Sequence, residues 1–448
     1  MNDIPKVRFD ALASYCRSPA VALFASEVRW FAFADERILA TLLFDTDATF
    51  FAVILARDLM ERFRWISMTG YFDSPDDALV DLERRVQLLL PELDKEREQG
   101  DEVGKPVDFF VPVRSTRPLH PSFVRLATEE GYSPARGIIE PMMRWYEDAD
   151  GNFVEQFQTT AFDARIWELY LFAALSEAGY RVNRSEPAPD FIAEGLMGEF
   201  AVEATTVNPT LDGTDTVPTP GTDTPEQLLA YTNEYLPIRY AGPLTRKLRM
   251  RYWDRPHVAG RPLVFAIQDF HDRGSMTWSR AGLPTYLYAY LHHPQRSHDG
   301  SLTIVPEKVT THRWGTKEVP SGFFELPDAE NVSAVFFNSS GTIQKFNRLG
   351  VVAGFGSRRV RLVRSGFVVD TDPNGSEPLE YTIAVDDEYT ESWIEGADIY
   401  HNPRAIAPLD PAMIPGAAHH RLLPDGTVET VQPAWQPLSS FTSITIAT

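Results

Sequence analysis

The hydrophobic pattern is densest between residues 160 and 207, where it predicts a buried helix followed by three strands. Apolar residues run almost without a break from Ile166 to Leu175, and Glu168 is the single charge among them. A helix that is apolar on nearly every side belongs in a core, and a carboxylate buried there needs a cationic or hydrogen-bonding partner. Gly179 is a typical residue to end this helix. Short alternating stretches then predict three strands, Tyr180–Asn183, Asp190–Glu194 and Glu199–Val207.

The last two of these strands form a predicted hairpin around the four-residue loop GLMG. If Glu194 and Glu199 close that loop, Asp190 lies opposite Glu203, with Cβ atoms about 4.5–5.5 Å apart. Two carboxylates at that distance repel each other unless a proton or a cation lies between them. Mg²⁺ commonly takes one or two carboxylates and keeps several waters. The hairpin therefore predicts a divalent-metal site, with Glu168 on the preceding helix as a third carboxylate.

This arrangement resembles the PD-(D/E)XK nuclease superfamily, whose restriction-endonuclease-like core has the element order αβββαβ. The resemblance covers residues 157–270 and extends to 337 if a fifth core strand is included. Pro189-Asp190 matches the PD half of the motif, Glu203 matches the (D/E), and Glu168 matches the helix glutamate of many members. The motif lysine is absent, because Thr205 stands at its position.

The resemblance implies a set of site residues and a cofactor. Asp190 and Glu203 are expected to bind Mg²⁺ or Mn²⁺ together with the backbone carbonyl of Ala204, and Glu168 to bind a second ion or a coordinated water. Some members bring the lysine from the following helix, where Lys247 is the candidate. The expected catalytic residues are Asp190, Glu203, Glu168 and Lys247. The ion is expected to activate water, and Lys247 to neutralise charge in the transition state.

The remaining apolar segments predict an α/β protein (α+β overall) built on a central mixed β-sheet flanked by helices. Residues 1–155 contain four apolar strand patterns and a helix that begins at Pro75, and are expected to form a separate α+β domain of unassigned role. Residues 156–340 form the predicted nuclease core, in which the Pro-, Thr- and Asp-rich segment 209–225 is expected to be flexible. Residues 341–448 are expected to be a β-rich, proline-rich extension that packs on the core. Two further buried strands are predicted, Arg261–Phe270 and Asn331–Phe337.

Composition narrows the class of protein. With 43% hydrophobic and 23% charged residues among 448, the chain is typical of a soluble globular protein. Its one cysteine, Cys16, excludes an intrachain disulfide framework and a cysteine metal cluster. The apolar runs are too short to span a membrane. No basic leader with an apolar core begins the chain, so a cytoplasmic protein is expected.

The net charge of −21 opposes binding to a phosphate backbone. Charge acts locally, however, and the segment from Arg239 to Arg261 holds seven cationic residues against the single acid Asp254. The resemblance implies nucleic acid as the partner, DNA more than RNA, and four residues of this segment are expected to contact it: Arg246, Lys247, Arg249 and Arg251. The alternative for this segment is a solvated helix face or a set of internal ion pairs.

Each site residue also has a structural alternative. Asp190 could be a turn residue at the start of a strand, and Glu203 could be a solvent-facing strand residue. Glu168 could pair with an arginine such as Arg165, and Lys247 could be an ordinary surface lysine.

Together these patterns predict a Mg²⁺-dependent phosphodiesterase, a DNA endonuclease or exonuclease. The alternative is a catalytically inactive nuclease-fold module that binds nucleic acid, a nucleotide or a protein partner, and Thr205 and the acidic balance favour it. A Lys247 terminal nitrogen that points away from Asp190 and Glu203 would also favour this alternative. The N-terminal domain is expected to serve recognition or assembly, through a homo-oligomer or a protein partner.

Overall fold

The computed structural model describes residues 1–448 except 114–115, 147, 149–150, 213–214, 273, 299–300, 373–374 and 376. It has mixed α+β architecture with a large mixed sheet flanked by helices, which confirms the predicted fold class at that level. Among these residues, no helix has both the length and the apolar character needed to cross a membrane.

The N-terminal segment forms a five-stranded antiparallel sheet with a helix on each face. The four predicted strands are present and a two-residue strand is added at the edge, giving β1 (Asn2–Asp3), β2 (Ala25–Phe33), β3 (Ile38–Asp45), β4 (Phe50–Arg57) and β5 (Phe63–Met68). α1 (Lys6–Ala13) packs on one face of this sheet. α2 (Pro75–Leu89) covers the other face through Leu79, Leu82 and Val86, which lie on one side of the helix.

Five helices follow, and the last of them lies across one face of the central sheet. They are α3 (Leu93–Glu96), α4 (Pro121–Thr128), α5 (Ser133–Trp145), α6 (Phe153–Gln158) and α7 (Phe162–Glu177). α7 is the predicted apolar helix, and it is buried from Ile166 to Leu175. Ile139 and Met142 of α5 belong to the same hydrophobic core as α7. The core therefore continues across residue 155, where the sequence predicts a domain boundary.

The rest of the chain consists mainly of strands. In chain order the elements are β6 (Arg181–Asn183), β7 (Phe191–Gly195), β8 (Gly198–Val207), β9 (Leu211–Asp212), β10 (Asp215–Thr216), α8 (Pro225–Ala230), α9 (Leu236–Leu248), β11 (Leu263–Asp269), α10 (Ser275–Tyr288), β12 (Tyr290–Arg296), β13 (Leu302–Lys308), β14 (Thr311–Trp314), β15 (Lys317–Pro320), β16 (Ala334–Phe337), α11 (Ile343–Val352), β17 (Val360–Val368), β18 (Leu379–Val385), β19 (Asp398–His401), β20 (Ala418–Leu422), β21 (Val428–Val431) and β22 (Phe441–Ile446).

The central sheet contains eight of these strands, in the order β21-β20-β19-β16-β11-β8-β7-β6. β6, β7 and β8 form an antiparallel meander, whereas β8, β11 and β16 run parallel to one another. β19 then pairs antiparallel with β16 and parallel with β20. The two predicted buried strands, β11 and β16, lie in the middle of the sheet, where both faces are covered.

Helices cover both faces of this sheet because side chains alternate along each strand. On one face Val202, Val264 and Phe336 belong to the same core as α7, whose Trp167 donates its Nε1–H to the carbonyl of Ala266 at 3.1 Å. On the other face Phe265, Ile267 and Val335 share a second core with apolar residues of α9 and α10. α7 and α9, which carry candidate site residues, thus lie on opposite faces of the same strands.

The C-terminal segment 341–448, predicted to pack on the core as an extension, also contributes three strands to the central sheet, β19, β20 and β21. Its other strands form a separate sheet in the order β18-β17-β22. In the predicted flexible insertion 209–225, β9 and β10 form a small hairpin, and positions 213–214 lie outside the described residues.

Candidate functional site

The hairpin that organises the site has the predicted register. β7 and β8 pair from Phe191 opposite Val202 to Gly195 opposite Gly198. The predicted four-residue loop is shorter in the structure, because both glycines belong to the strands and only two residues remain between them. A Cβ atom on Gly195 would lie 2.6 Å from the ring of Tyr180, so glycine is required there.

Asp190 and Glu203 meet at the open end of this hairpin. Asp190 directly precedes β7, and its backbone N–H donates to Glu203 Oε2 at 3.2 Å. In return, the backbone N–H of Ala204 donates to Asp190 Oδ2 at 2.8 Å. The register therefore brings the two carboxylates together, as the sequence predicts.

Electrostatics at this point favour a protonated Asp190. Burial raises its pKa well above the ordinary value, and the negative charges of Glu203 and Glu168 raise it further. Lys247 and the Ala204 N–H oppose this shift without reversing it. Burial and the neighbouring carboxylates therefore both favour the protonated form of Asp190.

Lys247 lies at the site and contacts one of the two strand carboxylates. It belongs to α9, and its Nζ forms an ion pair with Glu203 Oε1. The same oxygen accepts a hydrogen bond of 2.8 Å from the hydroxyl of Tyr252. Glu203 is only 4% exposed, so it is not the solvent-facing residue of the structural alternative. The lysine therefore points towards the carboxylates.

Glu168 lies on the opposite face of the sheet and is paired with Arg165. Arg165 Nη1 lies 2.9 Å from Glu168 Oε1 and 2.7 Å from Oε2. The hydroxyl of Tyr146 donates to Glu168 Oε2 at 2.5 Å. The structure thus contains the ion pair that the sequence offers as an alternative for Glu168. Glu168 still acts on the site, since its charge contributes to the raised pKa of Asp190.

The oxygen donors at the hairpin fit a hard divalent cation better than the helix glutamate does. Among the described residues, no three His, Cys, Asp or Glu side chains are grouped so that they could hold a metal ion. Ala204 directs its N–H towards Asp190, and in an antiparallel ladder the carbonyl of the same residue points the same way. Two carboxylates and one carbonyl at this end of the hairpin are oxygen donors of the kind that Mg²⁺ prefers. Glu168 would have to release Arg165 before it could join them.

The four residues expected to contact nucleic acid lie at the end of α9 and just beyond it. Arg246 and Arg249 are exposed, and neither forms an ion pair within the part of the chain that the structure describes. Arg251 differs, because it pairs with Asp254 at 2.7 Å and with Asp328 at 3.1 Å. The local excess of positive charge therefore lies at Arg246 and Arg249, next to Lys247 in the sequence.

Three residues that contact the site are absent from the predicted set. Tyr252 lies four residues beyond the end of α9, and Tyr146 directly follows α5. Arg184 donates its Nε–H to the carbonyl of Asp190 at 3.3 Å, and its guanidinium carbon lies 3.6 Å from the centre of the Tyr146 ring. No local pattern marks these residues, since their partners lie 6 to 49 positions away. For Tyr252, five residues after Lys247, the helix pattern indicates only a core residue.

Comparison with known proteins found no relative of this chain. No family model, no curated protein and no solved structure matches the chain. The functional assignment therefore depends on the residues at the hairpin and on their contacts.

Proposed function

We propose that the protein is a Mg²⁺- or Mn²⁺-dependent phosphodiesterase that cleaves DNA. The observation that carries the proposal is the junction of three residues from separate elements. Asp190 and Glu203 meet across the hairpin, and Lys247 of the following helix contacts Glu203. Metal-assisted hydrolysis of a phosphodiester uses acidic ligands that hold the ion, and a lysine beside them can offset negative charge in the transition state.

The order and direction of the elements support the same proposal. From α7 to β11 the chain runs helix, three strands, helix and strand, apart from the small β9–β10 hairpin and the division of the second helix into α8 and α9. The three strands form an antiparallel meander, and β11 pairs parallel with the last of them. This is the αβββαβ order of the restriction-endonuclease-like core, which we infer for residues 162–269.

In the proposed reaction, the chain positions a phosphate beside a small group of charges. Asp190, Glu203 and the carbonyl of Ala204 would hold Mg²⁺, which when bound offsets charge on the scissile phosphate and makes water more acidic. Lys247 supplies a positive charge at the same carboxylate, where it stabilises the negative charge that develops in the transition state. Arg246 and Arg249 bind neighbouring phosphates of the strand.

Thr205 supports a second candidate function, a module that binds nucleic acid without cleaving it. The position of the motif lysine is taken by a half-buried hydroxyl side chain on the same face of β8 as Glu203. Under this alternative Lys247 only compensates the charge of Glu203. The two functions differ in one measurable property, which is turnover.

The deciding experiment compares cleavage of end-labelled DNA by four proteins in the presence of Mg²⁺ or Mn²⁺. These are the wild type, Asp190→Ala, Glu203→Ala and the control Glu194→Ala. Glu194 is an acid of the same hairpin that pairs with Glu199 at its closed end, away from the site. We expect the two site variants to lose at least about 100-fold in activity, because removing only a hydrogen-bond partner of a metal ligand already costs about 10–100-fold.

The control should retain wild-type activity. Cleavage that persists in both site variants would overturn the proposal. DNA binding by the wild type without any cleavage would instead establish the binding module.

A further inference from the structure

Tyr252 makes a contact with the site that the proposed reaction does not yet use. Its hydroxyl donates to Glu203 Oε1 at 2.8 Å, while Glu203 Oε2 accepts the N–H of Asp190 at 3.2 Å. Both oxygens of this carboxylate therefore have a partner, and the side chain is held with Oε2 towards Asp190. Tyr252 is itself 2% exposed, so the hydroxyl has no competing contact with bulk water.

The backbone is shaped to deliver this tyrosine to the sheet. After α9 ends at Leu248, Arg251 adopts a left-handed conformation with φ 49° and ψ 52°, which a residue other than glycine rarely adopts. Asp254 and Asp328 hold the Arg251 side chain by ion pairs of 2.7 and 3.1 Å. Tyr252 follows directly and belongs to the core that it shares with α9 and α10.

Packing against β11 then holds the ring of Tyr252 beside the strand that carries Glu203. The ring lies edge-on to Phe265, with ring centres 6.1 Å apart and an angle of 82° between the planes. Phe265 is the direct neighbour of Glu203 in the β8–β11 ladder. Because the ring cannot move without disturbing the core, its hydroxyl is a rigid donor for the carboxylate.

A divalent cation at Glu203 would affect the contacts of Tyr252 and Lys247 with that carboxylate differently. The ammonium of Lys247 carries a positive charge, so it repels a cation bound by the same carboxylate. The phenol of Tyr252 carries no charge and donates its hydrogen to Glu203 Oε1, so it adds no repulsion beside a cation. Of the two donors on Glu203 Oε1, the phenol is therefore the one that adds no electrostatic repulsion when a cation binds.

We propose that Tyr252 is the positioning residue of the site, which holds Glu203 in the orientation that binds a divalent cation beside Asp190. This inference rests on the proposed metal-dependent function. Partners of this kind orient a ligating carboxylate, and their removal typically costs about 10–100-fold in metal affinity.

The test is the affinity for Mn²⁺ alone, measured by isothermal titration calorimetry for the wild type, Tyr252→Phe and Tyr389→Phe. The two variants are matched, since each removes one buried hydroxyl that donates to a carboxylate, Glu203 at the site in one case and Glu391 outside it in the other. We expect Tyr252→Phe to bind Mn²⁺ about 10–100-fold more weakly, and Tyr389→Phe to bind it like the wild type. Thermal unfolding checks that both variants fold, which is expected because each keeps its ring.

A second measurement separates positioning from a general effect on the fold. In the cleavage assay, Tyr252→Phe should need a higher Mn²⁺ concentration for half-maximal rate and should recover the wild-type kcat at saturating Mn²⁺. Equal Mn²⁺ affinity of the wild type and Tyr252→Phe would overturn the role of Tyr252 and leave the proposed function intact. If the wild type itself binds no Mn²⁺, the proposed function fails, and this inference fails with it.

Discussion

At the scale of single residues, the site is organised by how each buried carboxylate is compensated. Glu203 has a lysine and a phenol, and Glu168 has an arginine and a phenol. Asp190 is half-buried, and its Oδ2 accepts the backbone N–H of Ala204. Because burial and the nearby carboxylates raise the pKa of Asp190, a cation that binds here would displace a proton from it.

The pairing of Arg165 with Glu168 makes a prediction about stability. Both side chains are largely buried, at 15% and 10% exposure, and either one left alone would be an unpaired charge in the core. We expect a double-mutant cycle with Arg165→Ala and Glu168→Ala to give a coupling of about 1–3 kcal/mol in urea unfolding. A coupling near zero would show that the pair is not energetically linked. The exposed pair of Arg313 with Glu318 serves as the control, with an expected coupling below about 1 kcal/mol.

Some of these site residues can be predicted from the sequence and others cannot, and the difference has a physical reason. Asp190 and Glu203 follow from strand register, which the alternation of side chains and a short loop specify locally. Tyr146 and Tyr252 depend on how helices from distant parts of the chain pack on the sheet, and no spacing encodes that. Glu168 is predictable as a buried acid that needs a partner, but the choice between an ion and Arg165 depends on side-chain geometry.

At the scale of elements, β19 and β20 place two histidines in contact inside the sheet. His401 Nε2 and His419 Nδ1 are 2.9 Å apart. Burial, followed by the neighbouring His419 and the charge of Arg421, lowers the pKa of His401 to about 4. The unfolded chain therefore binds this proton before the folded protein does.

That difference predicts how stability depends on pH. The contribution of His401 is complete above its ordinary pKa of about 6.5 and is lost as the pH falls towards 4, with a total of about 3 kcal/mol. We expect His401→Gln to show a smaller fall in unfolding free energy over this range than the wild type, measured by urea titration at several pH values. The exposed His293 provides the matched control, and His293→Gln should follow the wild type. If the unfolding free energy of His401→Gln and of the wild type changed with pH in parallel, the pH dependence could not be assigned to His401.

Element prediction from sequence succeeds where the pattern is local. The strands β7, β8 and β11 begin and end within two residues of their predicted bounds, because apolar alternation and glycines define them. The assignment of β19, β20 and β21 to the central sheet could not be predicted, since short strands among prolines do not specify their partners. The packing of α5 on the core of α7, across the expected boundary at residue 155, also depends on contacts that no local pattern specifies.

At the scale of the whole molecule, strong negative charge and a local cationic surface coexist. The net charge is −21, yet Arg246 and Arg249 are exposed beside the proposed site. Binding to DNA through such a surface is expected to weaken as the salt concentration rises, because each phosphate contact releases counterions.

This arrangement predicts a change in salt dependence on substitution. We expect Arg246→Ala with Arg249→Ala to weaken DNA binding and to reduce the slope of log K against log salt by about 2, or about 1 for each phosphate that is no longer bound. Fluorescence anisotropy of labelled DNA without divalent cations measures this slope. Arg37→Ala, at an exposed turn of the N-terminal sheet, should leave it unchanged. An unaltered slope in the double variant would place the nucleic-acid interface elsewhere.

The late strands of the central sheet also determine when the protein can fold during its synthesis. β16 is buried and apolar, and its outer edge is covered only by β19, which begins at Asp398. A ribosome that adds about 5–20 residues per second leaves that edge open for several seconds after β16 has emerged. Unpaired apolar edges invite pairing with other chains. The nascent protein is therefore exposed to aggregation in that interval, and chaperone binding is expected to be strongest between synthesis of β16 and synthesis of β19.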